Sequence, residues 1–62
     1  MKRLKFIEHL TENGCTWYRE GGNHTLYFNP LTKKVVAIPR HADIPDILCK
    51  EICKQLEIPK VK

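Results

Sequence analysis

The first apolar positions of the chain recur at the spacing of an amphipathic helix. They predict a helix over about residues 3–13, with charged side chains on its opposite face. Asn13 and Gly14 predict its end, because glycine accepts the left-handed backbone that commonly follows a helix. The predicted core face of this helix consists of Leu4, Phe6, Ile7 and Leu10.

Three short segments rich in β-branched and aromatic residues come next and predict strands. Gly21-Gly22-Asn23 separates the first two segments and Asn29-Pro30-Leu31-Thr32 the last two, and both sequences are typical of tight turns. The three strands should therefore form an antiparallel meander. Their predicted bounds are 15–20, 24–29 and 34–38.

Side-chain alternation along these strands leaves two choices for the buried face of the sheet. The two choices are Tyr18, Tyr27 and Ile38, or Trp17, Leu26 and Phe28. Either choice leaves aromatic side chains on the uncovered face, which is then a candidate binding surface in its own right.

A second amphipathic helix is predicted near the end of the chain. Asp43 is its expected cap, and Pro45 falls near the first turn, where proline is tolerated. The helix should end near Glu57. Its apolar positions are Ile44, Leu48, Ile52 and Leu56, flanked by Ile47, Cys49 and Cys53.

These elements predict an α+β fold in a single domain over residues 1–62. The 62 residues suffice for one small core. A lone meander of this size is not stable, so both helices should cover one face of the three-stranded antiparallel sheet. The predicted order is α-β-β-β-α.

Charge and composition narrow the classes of function. Eleven Lys and Arg against seven Asp and Glu give a formal net charge of +4, and no acidic side chain occurs between Gly21 and Arg40. Such a surface favours a polyanionic partner such as a nucleic acid. The longest apolar run, Val35 to Ile38, is far too short to span a membrane, so we expect a cytoplasmic protein.

Three cysteines, Cys15, Cys49 and Cys53, form no C-x-x-C pair. An odd number without that spacing argues against a disulfide framework and against a zinc site. We expect free thiols in a reducing compartment, with Cys49 and Cys53 as small apolar fillers on a buried helix face.

The stretch Gly21-Gly22-Asn23-His24 carries the clearest chemical signal. A histidine that follows a glycine turn is accessible to a substrate, and its neutral imidazole can take up a proton near neutral pH and return one later. The basic residues expected to hold phosphate groups near it are Arg19, Lys33, Lys34 and Arg40.

Several short motifs follow one another along the chain. None is specific by itself, but their order and spacing together are specific for one protein family. The motifs are Gly14, Arg19-Glu20-Gly21-Gly22-Asn23-His24, Tyr27, Asn29-Pro30, Lys34, Ile38-Pro39-Arg40-His41 and Leu56-Glu57-Ile58. In this order and spacing the chain resembles the HicA-type toxins of toxin–antitoxin systems, also called the YcfA-like family. The resemblance extends from Leu4 to Ile58.

The resemblance implies a fold like that of double-stranded-RNA-binding domains and the activity of an mRNA interferase, a metal-independent endoribonuclease without a cofactor. It also implies two partners, messenger RNA and a HicB-type antitoxin. By its place after the glycine turn, the catalytic histidine is His24. The remaining RNA-binding candidates are Arg19, Gly22, Asn23, Lys33, Lys34, Arg40 and His41.

Two positions depart from the family pattern. Asn23 stands where the family usually has serine, which keeps a small hydrogen-bonding side chain but changes its reach. Glu57 replaces the glycine that usually lies near the end of the second helix.

Competing interpretations remain at the level of the sequence. His41 is the alternative catalytic residue, because it follows Arg40 directly, whereas His9 falls on the polar face of the first helix. The alternative function is a non-catalytic RNA-binding module of the same fold. A small protein-interaction domain is the third possibility.

Overall fold

The computed structural model describes residues 1–61 and has the predicted order of elements. The three strands form one antiparallel sheet in the order β1-β2-β3, as expected for a meander. The elements are α1 (Arg3–Glu12), β1 (Thr16–Gly21), β2 (His24–Asn29), β3 (Lys34–Pro39) and α2 (Asp46–Leu56). No helix in residues 1–61 is long and apolar enough to cross a membrane.

Helix α1 contributes two fully buried side chains, Phe6 and Leu10, to the core. The prediction that Leu4 belongs to the same face is wrong, because its side chain is 74% exposed. At about 100° per residue, Leu4 lies roughly 160° around the helix from Phe6. Beyond the helix, Gly14 takes the predicted left-handed conformation, with φ +87°.

A β-bulge at Tyr18 explains why simple alternation could not identify the buried face. Trp17 pairs with Tyr27, whereas Arg19 pairs with Leu26, so Tyr18 is an extra residue in β1. Its ring lies beside that of Phe28 on the face away from the helices, with 5.8 Å between the ring centroids. Both predicted sets are therefore wrong in part, because a bulge reverses the alternation within one strand.

The helices cover the face that carries the buried residues of β2 and β3. On this inner face Thr25 accepts a hydrogen bond from Arg3 at 3.1 Å, and Asn29 donates one to the carbonyl of Leu56 at 2.7 Å. Both sheet residues are buried. The hydrophobic core beneath the helices consists of Phe6, Leu10, Cys15, Val36, Ile38, Ile44, Cys49, Ile52, Cys53 and Leu56.

The three cysteines are free, as predicted, and buried, which was predicted for Cys49 and Cys53. Burial is the main cause that raises the pKa of each thiol, which keeps the group neutral. Cys49 and Cys53 thus act as small apolar fillers of the α2 core face.

Helix α2 begins later than predicted, and Asp43 is not its cap. Asp43 instead forms a backbone bridge with Lys2, and its carboxylate lies 3.9 Å from the Nζ of Lys2 as an ion pair. The helix starts only after Pro45, since a residue before proline, here Ile44, is disfavoured in helical conformation. Asp46 lies in the first turn, 3.4 Å from the N-terminal ammonium group.

Candidate functional site

His24 is the first residue of β2 and stands directly after the turn of the β1–β2 hairpin. It pairs with Gly21 on one side and with Pro39 on the other. Gly22 has φ +44°, a conformation that favours glycine at the first central position of a two-residue hairpin turn. The exposed His24 lines a shallow pocket of about 390 Å³ together with Asn23, Pro39, Arg40 and His41.

The two competing histidines therefore lie at one pocket. The β2–β3 pairing aligns His24 with Pro39, and the chain then continues through Arg40 to His41. Both histidines are exposed. The pocket thus presents two imidazole side chains to a bound molecule.

Arg40 holds the turn together with four hydrogen bonds. Its guanidinium donates to the carbonyl of Gly22 at 2.9 Å, to the carbonyl of His24 at 3.0 Å and to a carboxylate oxygen of Glu20 at 2.6 Å. A longer bond of 3.4 Å reaches the hydroxyl of Thr25. The guanidinium of Arg40, which the sequence analysis assigned to RNA, is therefore largely occupied by hydrogen bonds within the chain, and these bonds fix the backbone on both sides of Asn23.

Glu20 is the centre of this polar network. It accepts hydrogen bonds from the indole of Trp17 at 2.7 Å and from the hydroxyl of Thr25 at 2.9 Å, in addition to the bond from Arg40. These bonds, that of Trp17 foremost, lower the pKa of Glu20 from an ordinary value near 4.5 to about 2. The carboxylate is therefore ionised throughout the neutral range.

Arg3 extends the network to helix α1. Its guanidinium donates to the carbonyl of Pro39 at 3.0 Å and to the hydroxyl of Thr25 at 3.1 Å. Sequence reasoning missed Arg3, Glu20 and Thr25. One signal was present, because Glu20 is the single acidic residue within the three predicted strands.

Arg19 lies on the outer face of the sheet, which the helices leave uncovered. A Cβ atom built on Gly21 would be 3.6 Å from Nη1 of Arg19, so the guanidinium extends over that glycine. Gly21 is the cross-strand partner of His24. The guanidinium of Arg19 therefore lies over the residue that pairs with His24, and its predicted contact with RNA stays a prediction.

Comparison with protein-family models gives a match to a family described as the “HicA toxin of bacterial toxin-antitoxin”. The match covers residues 5–58 of the 62-residue chain. The chain belongs to the HicA toxin family. This confirms the resemblance, assigns the chain the role of a toxin and implies an antitoxin partner. No curated protein and no solved structure matches the chain.

The HicA fold separates Lys33 and Lys34 from His24. Lys34 pairs with Asn29 at the opposite end of β2, five residues from His24, which corresponds to about 17 Å along the strand. Lys33 has φ +65° in the turn before β3. The structure therefore does not bring these lysines next to His24, and their contact with RNA stays a prediction.

His9 of this HicA-family chain has a different role from the other two histidines. Its Nε2 lies 2.7 Å from the carbonyl of Pro59, so it ties α1 to the segment that follows α2. Over residues 1–61, no three His, Cys, Asp or Glu side chains converge in the manner of metal ligands.

Proposed function

We propose that this chain is the toxin of a type II toxin–antitoxin system and that it cleaves messenger RNA with His24 as its proton-transfer group. The observation that carries the proposal is the position of His24. It is exposed beside a glycine turn, its backbone carbonyl is held by Arg40, and it shares a pocket with His41. Membership of the HicA toxin family supports the same conclusion.

RNA supplies its own nucleophile for this reaction. The neutral imidazole of His24 takes the proton of a 2′-hydroxyl as its oxygen attacks the adjacent phosphorus. The bond from phosphorus to the 5′-oxygen breaks, and the protonated imidazole returns the proton to that leaving oxygen. The products are a 2′,3′-cyclic phosphate and a 5′-hydroxyl. General acid–base catalysis of this kind contributes about a hundred- to ten-thousand-fold to the rate.

The remaining residues of the pocket bind and orient the RNA in this proposal. Arg19 and His41 contact the phosphate that flanks the reacting bond, and the amides of Gly22 and Asn23 stabilise the charge that grows on its oxygens. Arg40 is a positioning residue for the turn, whereas Lys33 and Lys34 contact RNA farther along the sheet.

Replacement of His24 by alanine should remove RNA cleavage and growth arrest while leaving the fold intact. The side chain is exposed, so its truncation creates no core cavity. The measurement is RNA decay and growth on induction, with a thermal melt of each protein. His9→Ala is the matched control and should stay toxic. Toxicity of His24→Ala equal to that of the native chain would contradict the assignment.

The result also separates the enzyme from the alternative function, a non-catalytic RNA-binding module. If His24→Ala keeps its RNA affinity and loses cleavage, the enzyme is supported. If the native protein binds RNA without cleaving it, the module is supported instead.

Cleavage should continue in excess chelator, because a reaction that uses the 2′-hydroxyl needs only proton transfer and charge stabilisation from the protein. An oligonucleotide with a single 2′-deoxy residue at the cut site should resist cleavage there. The measurement is gel analysis of end-labelled RNA with chemical identification of the new ends. Activity that is lost with chelator and restored by Mg²⁺, or cleavage at the deoxy position, would contradict this mechanism.

The antitoxin implied by the family is proposed to be of the HicB type and to inhibit by covering the His24 pocket and Arg19. An acidic protein surface can meet the same charges that attract RNA and so compete with it directly.

A further inference from the structure

We infer that the outer face of the sheet binds single-stranded RNA by stacking unpaired bases on Tyr18 and Phe28. The inference rests on the proposed function, since it describes how the substrate of the His24 pocket is held. It goes beyond that function because it names a second surface, outside the pocket, and the form of nucleic acid that the surface accepts.

The first observation is that the outer face is aromatic and open. Tyr18 is 50% exposed and Val35 is 43% exposed. The rings of Tyr18 and Phe28 lie 5.8 Å apart with an angle of 33° between their planes. Both helices lie against the other face, so Tyr18 is exposed and Phe28 is partly exposed. The outer surface is completed by Arg19, Leu26 and Ala37.

The β-bulge is what makes this surface. Without it Tyr18 would alternate onto the opposite face from Arg19, whereas the extra residue places both beside the outer positions of β2. The same bulge places Trp17 and Glu20 together on the other face of β1, where the indole donates to the carboxylate at 2.7 Å. The bulge re-aims a side chain toward the outside, which is a recurrent use of bulges near active sites.

The charge of the face favours a nucleic acid over a protein. Arg19 contributes a guanidinium, and within residues 1–61 the outward positions of the three strands carry no carboxylate. The nearby Glu20 is tied to Trp17, Thr25 and Arg40 instead. Aromatic platforms beside cations are the usual means of binding single strands, because every base has a face that can stack.

The face is continuous with the candidate pocket. His24 and Phe28 occupy outward positions of the same strand, four residues or about 13 Å apart. Arg19 lies between them, over Gly21 and beside Leu26. An RNA strand that stacks on Tyr18 and Phe28 can therefore contact Arg19 with a phosphate and reach the imidazole of His24. A duplex cannot use this path, since its bases are stacked on one another and unavailable to the rings.

The test is fluorescence anisotropy with a labelled, unstructured single-stranded RNA, on a His24→Ala background so that the probe survives. Tyr18→Leu and Phe28→Leu each should weaken binding roughly tenfold, and the double variant more, as expected for loss of base stacking. Tyr18→Phe keeps the ring and should keep the affinity, so it reports on stacking rather than on folding. Ile47→Ala, an exposed apolar residue of α2, is the matched control and should bind like the parent.

A duplex of the same RNA annealed to its complement should bind more weakly than the single strand and should not respond to Tyr18→Leu. Unchanged affinity of folded Tyr18→Leu and Phe28→Leu for the single strand would overturn the inference, as would equal affinity for the duplex. If these variants lose only the antitoxin, the face is a protein-docking surface and the inference is also overturned.

The outcome is distinguishable from that of the proposed function. If the native protein binds single-stranded RNA through Tyr18 and Phe28 but never cleaves it, the stacking surface stands and the catalytic proposal fails. If cleavage requires His24 while the ring variants bind RNA normally, the catalytic proposal stands and the stacking surface fails.

Discussion

At the residue scale, Arg40 shows how one side chain can hold a whole turn in place. Its guanidinium connects two backbone carbonyls of the turn with the carboxylate of Glu20, and the 2.6 Å bond between the two charged groups is the shortest of the set. The pair is partly exposed, so solvent screening keeps its contribution to stability modest. Its main effect is to limit the positions that His24 can take.

The lowered pKa of Glu20 predicts an acid-dependent loss of stability. Because the folded pKa is about 2 and the ordinary value is near 4.5, the stabilisation is complete above about pH 4.5 and is lost as pH falls through about 2. Thermal melts over this range should show the loss in the native chain. Glu20→Gln should be less stable at neutral pH and should approach the native chain at low pH.

Glu12→Gln removes one carboxylate from the end of α1 and is the control for charge. It should keep the acid-dependent loss of the native chain. A Glu20→Gln profile parallel to that of the native protein at every pH would show that the network does not perturb this carboxylate.

At the scale of the helices, the C-termini of α1 and α2 are capped by the same pattern of backbone hydrogen bonds. After α1, Gly14 donates to Thr11 and Cys15 donates to Leu10; after α2, Glu57 donates to Lys54 and Ile58 donates to Cys53. Both patterns are Schellman motifs, which place one residue in the left-handed region. That residue is Gly14 at φ +87° in one case and Glu57 at φ +59° in the other.

Glu57→Gly should stabilise the protein by about 1 kcal/mol, since glycine adopts this conformation without the strain of a Cβ atom. For a domain of this size that corresponds to a rise in Tm of about 4–8 °C. Gly14→Ala is the mirror experiment and should cost a similar amount. Glu57→Gln separates strain from charge, because it removes the carboxylate near the helix C-terminus and keeps the Cβ atom. A gain with glutamine equal to that with glycine would assign the effect to charge alone.

The helices and strands also differ in how far the sequence predicts them. Helix and strand periodicity, the glycine turn and Asn29-Pro30 were enough for the order of elements, because these signals are local. The bulge at Tyr18 was not predictable, since it depends on how β1 registers against β2. The role of Asp43 was misassigned because it pairs with Lys2, a residue far away in the sequence, whereas the start of α2 after Pro45 follows from the local effect of proline on Ile44.

For the candidate site, sequence reasoning named His24, Asn23 and His41, which the structure brings to one pocket, because they lie in the hairpin turn or in the segment beside it. The roles of these residues and of Arg19 stay predictions. It could not assign Arg40. A surface arginine and an arginine that holds a turn have the same local sequence, and only the cross-strand position of Glu20 distinguishes them.

At the scale of the whole molecule, the +4 charge is unevenly distributed, and the distribution determines which surface attracts an anionic partner. The acidic groups of the described residues lie mainly on the helices, and Glu20 on the sheet is already paired with Arg40. The outer face of the sheet therefore keeps the positive charge of Arg19 beside the pocket. Such a surface attracts RNA and an acidic protein by the same long-range field, so both associations should weaken as salt rises.

Arg19→Glu should weaken both RNA binding and antitoxin binding, because the proposed inhibitor covers the cation that the RNA uses. For RNA, removal of one phosphate contact should reduce the slope of log affinity against log salt by about 0.7. Lys50→Glu carries the same change of charge on the exposed side of α2 and is the matched control. The measurement is a titration of each variant, on the His24→Ala background, against a single-stranded RNA and against the cognate antitoxin over a series of salt concentrations. If Arg19→Glu loses RNA but binds the antitoxin as the native chain does, the two partners use separate surfaces, and inhibition by direct occlusion is wrong.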